Sequence, residues 1–182
     1  MLYTPIFGKY MARDRYSNIL RFLHLSSDKS DDPLWKVRPV LRSLTEKFKS
    51  YFNPFQNLVI DESLMLFKGR IIFKQYIPSK RHRFGIKMYV LCDCETGYIV
   101  DLCIHTGSDT DGITKDPPLG LSGSVVDVLM KGYLGKGHIL YTDNWYTSPL
   151  LARYLHDHNT GAVGTVRSNR TNIPNFEATK KR

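Results

Sequence analysis

The order of its apolar segments constrains the fold of this chain more than any other sequence feature. Downstream of Pro54 the apolar pattern changes from the helical period to the period of strands. It predicts the order strand, strand, strand, helix, strand, helix, strand. The predicted strands are 58–67, 85–94, 98–105, 138–142 and 161–166, and the predicted helices are 125–134 and 149–158. This alternation indicates an α/β fold with a mixed sheet.

The same order is that of a ribonuclease H-like core, in which the first strand is central and the fourth lies beside it. We therefore predict a ribonuclease H-like mixed sheet with flanking helices, incomplete at the C-terminus, because the chain ends shortly after the fifth strand. Upstream of the sheet, helices are predicted at 13–25 and 40–50. The predicted domains are a small helical region, 1–55, and the sheet region, 56–182.

Two aspartates are the main candidates for a functional site. Asp61 lies within the first predicted strand, and Asp143 directly follows the fourth. In a ribonuclease H-like sheet these positions meet at one edge. Two carboxylates about 4 Å apart repel by about 4 kcal/mol at an effective dielectric constant of about 20, and such a pair recruits divalent metal. Hard carboxylate oxygens select Mg²⁺ or Mn²⁺.

Both aspartates interrupt or follow apolar runs, so we expect their carboxylates to be buried and to need compensation, which a bound cation would supply. The alternative is structural. Aspartates at strand ends often cap the next helix or accept hydrogen bonds from neighbouring amides, and Asp143 precedes a predicted helix closely enough to do so.

The charge of the chain favours a polyanionic partner. Lys and Arg outnumber Asp and Glu by 26 to 17, for a net charge of +9. Between Ser63 and Asp93 there is no acidic residue, and this stretch contains Lys68, Arg70, Lys74, Lys80, Arg81, Arg83 and Lys87, interleaved with aromatic residues. Basic side chains beside a metal-type carboxylate are suited to a phosphate backbone. The alternative is a solvated strand face with its aromatic residues turned inward. No basic amphipathic helix or apolar span indicates a membrane partner.

Several motifs in this chain closely resemble those of the piggyBac transposases and piggyBac-derived proteins. They are 57–70 (NLVIDESLMLFKGR), 74–80 (KQYIPSK), 84–87 (FGIK), 141–148 (YTDNWYTS) and 164–169 (GTVRSN). The resemblance continues upstream, where 13–16 with 20–24, and 36–39 with 46–48, look like the helical dimerisation and DNA-binding region of that family. It therefore spans almost the whole chain.

The resemblance implies a magnesium-dependent catalytic domain with three aspartates, of which Asp61 and Asp143 match the first two. It implies nicking of transposon ends, attack by the freed 3′-hydroxyl, transient hairpin formation and joining at TTAA targets. The expected partners are DNA and a second copy or a related transposase, with no small-molecule substrate, and the expected location is the nucleus. The expected contacts to the DNA backbone are Lys68, Arg70, Lys74, Lys80, Arg83 and Lys87.

No segment of this chain matches the motif of the third aspartate or the cysteine-rich C-terminal zinc domain of that family. We therefore expect the chain to be inactive in transposition by itself, because metals lacking one ligand are poorly placed. The alternative function is that of a domesticated protein that binds DNA or a transposase without cutting. A third possibility is a chain that folds poorly, because a sheet without its final covering helix leaves apolar surface open.

Overall fold

The computed structural model describes residues 6–27, 29–78, 83–107, 110, 112–114 and 119–174. The chain divides into two compact units between Ser43 and Leu44. This division lies within a helix, upstream of the boundary predicted at residue 55. That domain boundary remains a prediction. No helix in the described ranges is both long enough and apolar enough to cross a bilayer.

The first unit is helical. Its elements are α1 (Ile6–Tyr10), α2 (Arg13–Phe22) and the start of α3 (Arg38–Tyr51). The short helix α1 was not predicted, and α2 ends three residues before the predicted end of its helix. Ahead of α3, both carboxylate oxygens of Asp32 accept hydrogen bonds from the guanidinium of Arg38, at 2.6 and 2.8 Å. This bidentate bond holds the pKa of Asp32 below its usual value.

The second unit contains a mixed sheet with two helices packed against it. In the described residues its strands are β1 (Asn57–Leu66), β2 (Gln75–Tyr76), β3 (Phe84–Asp93), β4 (Ile99–Ile104), β5 (Ile139–Thr142) and β6 (Gly161–Gly164). Besides the remainder of α3, its described helices are α4 (Gly120–Met130) and α5 (Pro149–Asp157). Apart from the two-residue β2, this is the predicted order of elements. The α/β class with a mixed sheet is confirmed.

Strand β1 is central, as predicted. It pairs antiparallel with β3 and parallel with β5, and β6 continues the sheet parallel to β5. On the other side of β3 lie β4 and β2. Pairing of β1 with β5 ends at Ile60 and Thr142, whereas pairing of β1 with β3 continues to Leu66 and Gly85. The later part of β1 therefore extends with β3 as a ribbon beyond the end of β5.

The core lies between one face of the sheet and the two helices. Leu58, Ile60, Leu91 and Leu140 from the strands pack with apolar residues of α4 and α5. Ser148 caps the N-terminus of α5, where its hydroxyl accepts a hydrogen bond from the Leu151 amide. On the opposite face of the sheet, apolar side chains remain exposed, namely Ile99, Tyr141 and Val163. The fold thus covers one face of its sheet, among the described residues, and leaves apolar groups on the other.

A buried carboxylate closes the hairpin between β3 and β4. Asp93 is fully buried, and its oxygens accept hydrogen bonds from the Phe55 amide and from both the amide and the hydroxyl of Thr96. Burial raises the pKa of Asp93, but these hydrogen bonds outweigh burial and hold the pKa below its usual value. Asp93 therefore stabilises the fold in its charged form.

Acid should weaken the fold partly through this residue. Because the pKa of Asp93 is lower in the folded chain than in the unfolded one, its contribution is present above about pH 4 and is lost as pH falls further. We expect Asp93→Asn to reduce the loss of unfolding free energy between pH 7 and pH 3, as measured by urea denaturation. The control is Asp157→Asn, at an exposed position, which should keep the wild-type pH dependence.

Candidate metal and DNA site

The register of the sheet brings together the two aspartates singled out in the sequence. Ile60 of β1 is paired with Thr142 of β5, and Asp61 and Asp143 are the next residue on each strand. The two strands are parallel and adjacent, and neighbouring strands lie about 4.8 Å apart. Asp61 and Asp143 therefore lie side by side at the same edge of the sheet.

The expectation that these carboxylates are buried is wrong. Both Asp61 and Asp143 are exposed. Asp61 follows the buried Ile60 along β1 and therefore lies on the face of the sheet opposite the core, and Asp143 lies beyond the end of β5. The carboxylate that is buried is Asp93, which is satisfied by hydrogen bonds within the chain. Burial therefore does not indicate a cation at the two aspartates. A cation site there depends on the geometry of the two carboxylates.

Hydrogen bonds from neighbouring amides, the alternative to metal binding, occupy one oxygen of each carboxylate. Oδ1 of Asp61 accepts a hydrogen bond from the Glu62 amide at 2.7 Å. Oδ1 of Asp143 accepts one from the Trp145 amide at 2.8 Å and a longer one from the Tyr146 amide at 3.4 Å. Within the described ranges, neither Oδ2 atom has a hydrogen-bond partner. Local hydrogen bonds thus orient both carboxylates and leave one oxygen of each available.

This donor set fits a hard divalent cation. Two exposed carboxylates with an available oxygen each, side by side where β5 ends next to β1, suit the oxygen preference of Mg²⁺ and Mn²⁺. Water is accessible to complete a coordination shell, as Mg²⁺ usually requires. Among the described residues, no group of three or more His, Cys, Asp or Glu side chains is placed to hold a metal ion. The described residues therefore offer two carboxylates at this position.

A lysine that contacts a glutamate and two aromatic rings lies beside the two aspartates. Nζ of Lys87 is 3.2 Å from Oε1 of Glu62 and lies 4.8 Å from the ring centroid of Tyr89 and 5.1 Å from that of Trp145. The rings of Tyr89 and Trp145 are stacked, with centroids 6.0 Å apart and planes at 11°. The side chain of Lys87 is only 17% exposed. This environment disfavours the predicted contact between Lys87 and a DNA backbone.

Two tyrosines beneath this edge stay uncharged. Burial, with a smaller effect of the Glu62 charge, raises the pKa of Tyr89 to about 12. Tyr146 is fully buried, and burial followed by nearby carboxylates, Glu62 first, raises its pKa further. Its hydroxyl has no hydrogen-bond partner among the described residues. Both phenols therefore remain protonated at physiological pH and add no charge to the site.

Comparison with known proteins decides the family. A family model described as Transposase IS4 matches residues 1–182. The human PiggyBac transposable element-derived protein 3 is 30% identical over 164 residues, which cover 86% of this chain and 27% of that protein. The human PiggyBac transposable element-derived protein 5 is 27% identical over 172 residues, covering 88% and 32%. A cryo-EM structure of the piggyBac transposase synaptic complex with hairpin DNA matches with a TM-score of 0.84 and 32% identity, over 97% of this chain and 38% of that chain.

This chain belongs to the piggyBac transposase family. The chain spans about a third or less of the length of the two human relatives. The piggyBac motif 141–148 contains Asp143 and the turn after β5, and 57–70 contains Asp61 and the ribbon of β1. Two of the motifs that carried the resemblance therefore contain the two aspartates of the candidate site.

The basic residues of this piggyBac domain differ in their surroundings. Lys68, Arg70 and Arg83 are exposed on or near the β1–β3 ribbon. Lys74 is partly buried, donates to the Gly69 carbonyl at 3.0 Å and lies 5.7 Å from the ring centroid of Phe84. The predicted contact residue Lys80 lies outside the described residues. Of the six residues predicted to contact the DNA backbone, three are therefore exposed among the described residues and accessible to a partner.

Two further arginines lie at the Asp143 turn. Arg167 donates twice to Oδ1 of Asn144, at 3.0 and 2.9 Å, and Arg170 donates to the carbonyls of Asn144 and Trp145. They line an open cavity of about 510 Å³, together with Trp145 and the first residues of α4. The sequence placed Arg167 and Arg170 after the last strand, but their contact with the turn follows only from the parallel pairing of β5 with β6.

Proposed function

We propose that this piggyBac-family domain acts on DNA at the edge formed by Asp61 and Asp143, with a divalent cation, Mg²⁺ or Mn²⁺, held by these two carboxylates. The observation that carries the proposal is the pairing of Ile60 with Thr142, which places the exposed carboxylate of Asp61, within β1, beside that of Asp143, directly after β5. The available Oδ2 atoms of the two side chains are the proposed metal ligands.

The chemistry we propose is that of phosphodiester cleavage and strand transfer at TTAA sites. A cation bound at this edge would supply Lewis-acid stabilisation of a phosphate oxygen and would make a water or a 3′-hydroxyl easier to deprotonate. The contribution of the chain itself is orientation. Backbone amides of Glu62, Trp145 and Tyr146 fix one oxygen of each carboxylate, so that the other faces outward.

We also propose that the chain does not carry out transposition by itself. The described residues provide two carboxylates and no third ligand at this edge. Loss of an outer partner of a metal ligand alone typically costs about 10–100-fold in affinity or activity, and lack of a ligand is more severe. A second candidate function is therefore a non-catalytic protein that binds DNA, or a second transposase copy, in the nucleus.

DNA as partner is supported by the charge of this surface and by the matched structure, which is a transposase complex with hairpin DNA. Exposed Lys68, Arg70 and Arg83 would contact phosphates, which positions a duplex without reading its sequence. The rings of Tyr76 and Phe84 lie 4.7 Å apart between these residues and provide an apolar surface on which an unpaired base can stack.

The test of this function combines cleavage and binding in the same samples. Labelled DNA with TTAA-flanked ends is incubated with the purified chain and Mg²⁺ or Mn²⁺, beside the Asp61→Ala, Asp143→Ala double variant, over a salt series. We expect salt-sensitive binding by both proteins, because phosphate contacts release counterions, and no transposition. Efficient metal-dependent excision by the wild-type chain would contradict the proposed inactivity. Salt-insensitive or undetectable binding would contradict DNA as the partner.

Charge-matched variants identify the contact surface. The double variant Arg70→Gln, Arg83→Gln should reduce the slope of log K against log salt by about 2, since each duplex phosphate contact contributes about 0.9. The control is Lys131→Gln, Lys136→Gln, which removes the same charge from exposed positions beyond the end of α4. Equal effects of the two double variants would mean that only net charge matters and would exclude a defined surface at the ribbon.

A further inference from the structure

We propose that Glu62, Lys87 and Trp145 form a positioning link that holds the Asp143 turn in a fixed place beside Asp61. We call these three residues the Lys87 link. The inference rests on the proposed metal site and assigns residues that set the spacing of its two carboxylates, although none of the three is proposed to touch the metal.

Strand pairing does not extend to the turn. The pairing of β5 with β1 ends at Thr142, and the pairing of β5 with β6 ends at the same residue. Asp143 and Asn144 lie beyond the ladder and are exposed. Interactions of their own neighbours must therefore determine where the Asp143 carboxylate lies relative to β1.

Both ends of the Lys87 link are joined to an aspartate. Glu62 directly follows Asp61 and donates its amide to Oδ1 of that residue. Trp145 donates its amide to Oδ1 of Asp143. Lys87 completes the connection, with its ammonium 3.2 Å from Glu62 Oε1 and 5.1 Å from the centroid of the Trp145 ring. The path runs from one carboxylate to the other through a salt bridge and a cation–π contact.

The surroundings make this connection stronger than a surface pair. The side chains of Lys87 and Glu62 are 17% and 21% exposed, so their attraction is only partly screened by water. Tyr89, which is buried, stacks on Trp145 and lies 4.8 Å from the Lys87 ammonium. A partly desolvated ammonium close to two aromatic rings and a carboxylate has few alternative positions. The indole of Trp145, and with it the turn, is thereby fixed against β3.

The test has a readout that does not depend on metal. Hydrogen exchange measured by NMR reports on the amides of Trp145 and Tyr146, which are bonded to Asp143. In Lys87→Met, which keeps the length of the side chain and removes its charge, we expect these amides to exchange at least about tenfold faster, a loosening local to this turn. Amides of α5, such as Leu155, should keep wild-type rates. Unchanged exchange at Trp145 would overturn the inference.

The second readout is metal affinity. Trp35→Phe leaves Trp145 as the sole tryptophan, so that quenching of its fluorescence by Mn²⁺ gives a dissociation constant. In this background Lys87→Met should raise the dissociation constant by about 10–100-fold, the usual effect of losing an outer partner. Lys87→Arg, which retains the charge, should stay within about threefold of wild type, whereas a merely space-filling role predicts that Met is tolerated as well as Arg. Equal affinities of the Met variant and wild type would refute the link.

A double variant controls for destabilisation of the fold. Lys87→Met leaves the Glu62 carboxylate partly buried and unpaired, which alone can destabilise the fold. Glu62→Gln, Lys87→Met removes both charges and keeps both shapes, so it should fold even where the single variant does not. It should still show the faster exchange at Trp145, and wild-type exchange in this variant would count against the link. If wild type itself does not bind Mn²⁺, the proposed metal site fails, while the exchange of Trp145 still decides whether the link exists.

Discussion

The substitution Asp143→Asn should lower the affinity of the chain for Mn²⁺ by at least about 100-fold and leave its unfolding temperature nearly unchanged. The reason is that the asparagine side-chain oxygen still accepts hydrogen bonds from the Trp145 and Tyr146 amides, whereas the negative charge that attracts the cation is gone. Loss of an outer partner costs about 10–100-fold, so removal of a charged ligand should exceed this range. Fluorescence quenching by Mn²⁺ measures the affinity, and thermal denaturation measures the stability.

Two companion variants separate metal binding from capping. Asp143→Ala removes both the charge and the hydrogen-bond acceptor, so it should lose metal binding and also about 1 kcal/mol of unfolding free energy. Asp61→Asn should behave like Asp143→Asn, because its amide hydrogen bond with Glu62 is equally retained. If Asp143→Asn binds Mn²⁺ as tightly as wild type, the carboxylate serves only to cap the turn and the proposed metal site is wrong.

The substitution Gly164→Ala should destabilise the second unit by about 2–3 kcal/mol and lower its unfolding temperature by roughly 5–10 °C. A Cβ atom at Gly164 would lie 2.5 Å from the Thr142 carbonyl oxygen and 3.1 Å from the Thr142 hydroxyl. The carbonyl belongs to the backbone of β5, so it cannot rotate away. Strand β6 must therefore move, and the turn that follows Thr142 should move with it.

The matched control is Gly132→Ala. No atom lies within 4 Å of a Cβ built at Gly132, and its φ is not positive. This variant should unfold within about 0.5 kcal/mol of wild type. Differential scanning calorimetry of the three proteins makes the comparison. Equal unfolding temperatures for Gly164→Ala and Gly132→Ala would mean that β6 tolerates a shift away from β5, and that its close approach does not stabilise the site.

The sheet could be predicted from the sequence because its strands are short apolar runs separated by turn residues. The hairpin turn at 94–97 and the motif around Asp143 fixed the limits of β3, β4 and β5 to within two residues. The helix α4 was placed less well, since it begins at Gly120 rather than at 125. Glycine and serine dominate its first turns, and both have low helix propensity. The sequence therefore does not predict this segment to be helical, although tertiary packing makes it so.

The candidate site was only partly accessible to sequence reasoning. Asp61 and Asp143 were identified because the first interrupts an apolar run and the second directly follows one. The pairing of Glu62 with Lys87 was missed, because it depends on the register of β1 against β3, which places Lys87 opposite Leu64. A shift by one residue would have turned Lys87 to the other face, so composition alone cannot decide between a DNA contact and an internal salt bridge.

The β1–β3 ribbon has a thermodynamic consequence for recognition. Beyond Ile60 and Thr142 the strands are no longer flanked by β5, and Met65 and Leu66 at the far end are about half exposed. At this far end β1 pairs with β3, and β3 pairs on its other side with the two-residue β2. Short strands with exposed apolar side chains open at a lower free-energy cost than the packed centre of a sheet, so this segment should exchange its amides with solvent before the sheet centre does. Arg70 and Arg83 flank this segment. A partner that engages them must restrict its motion, so part of the favourable electrostatic free energy is offset by lost backbone entropy.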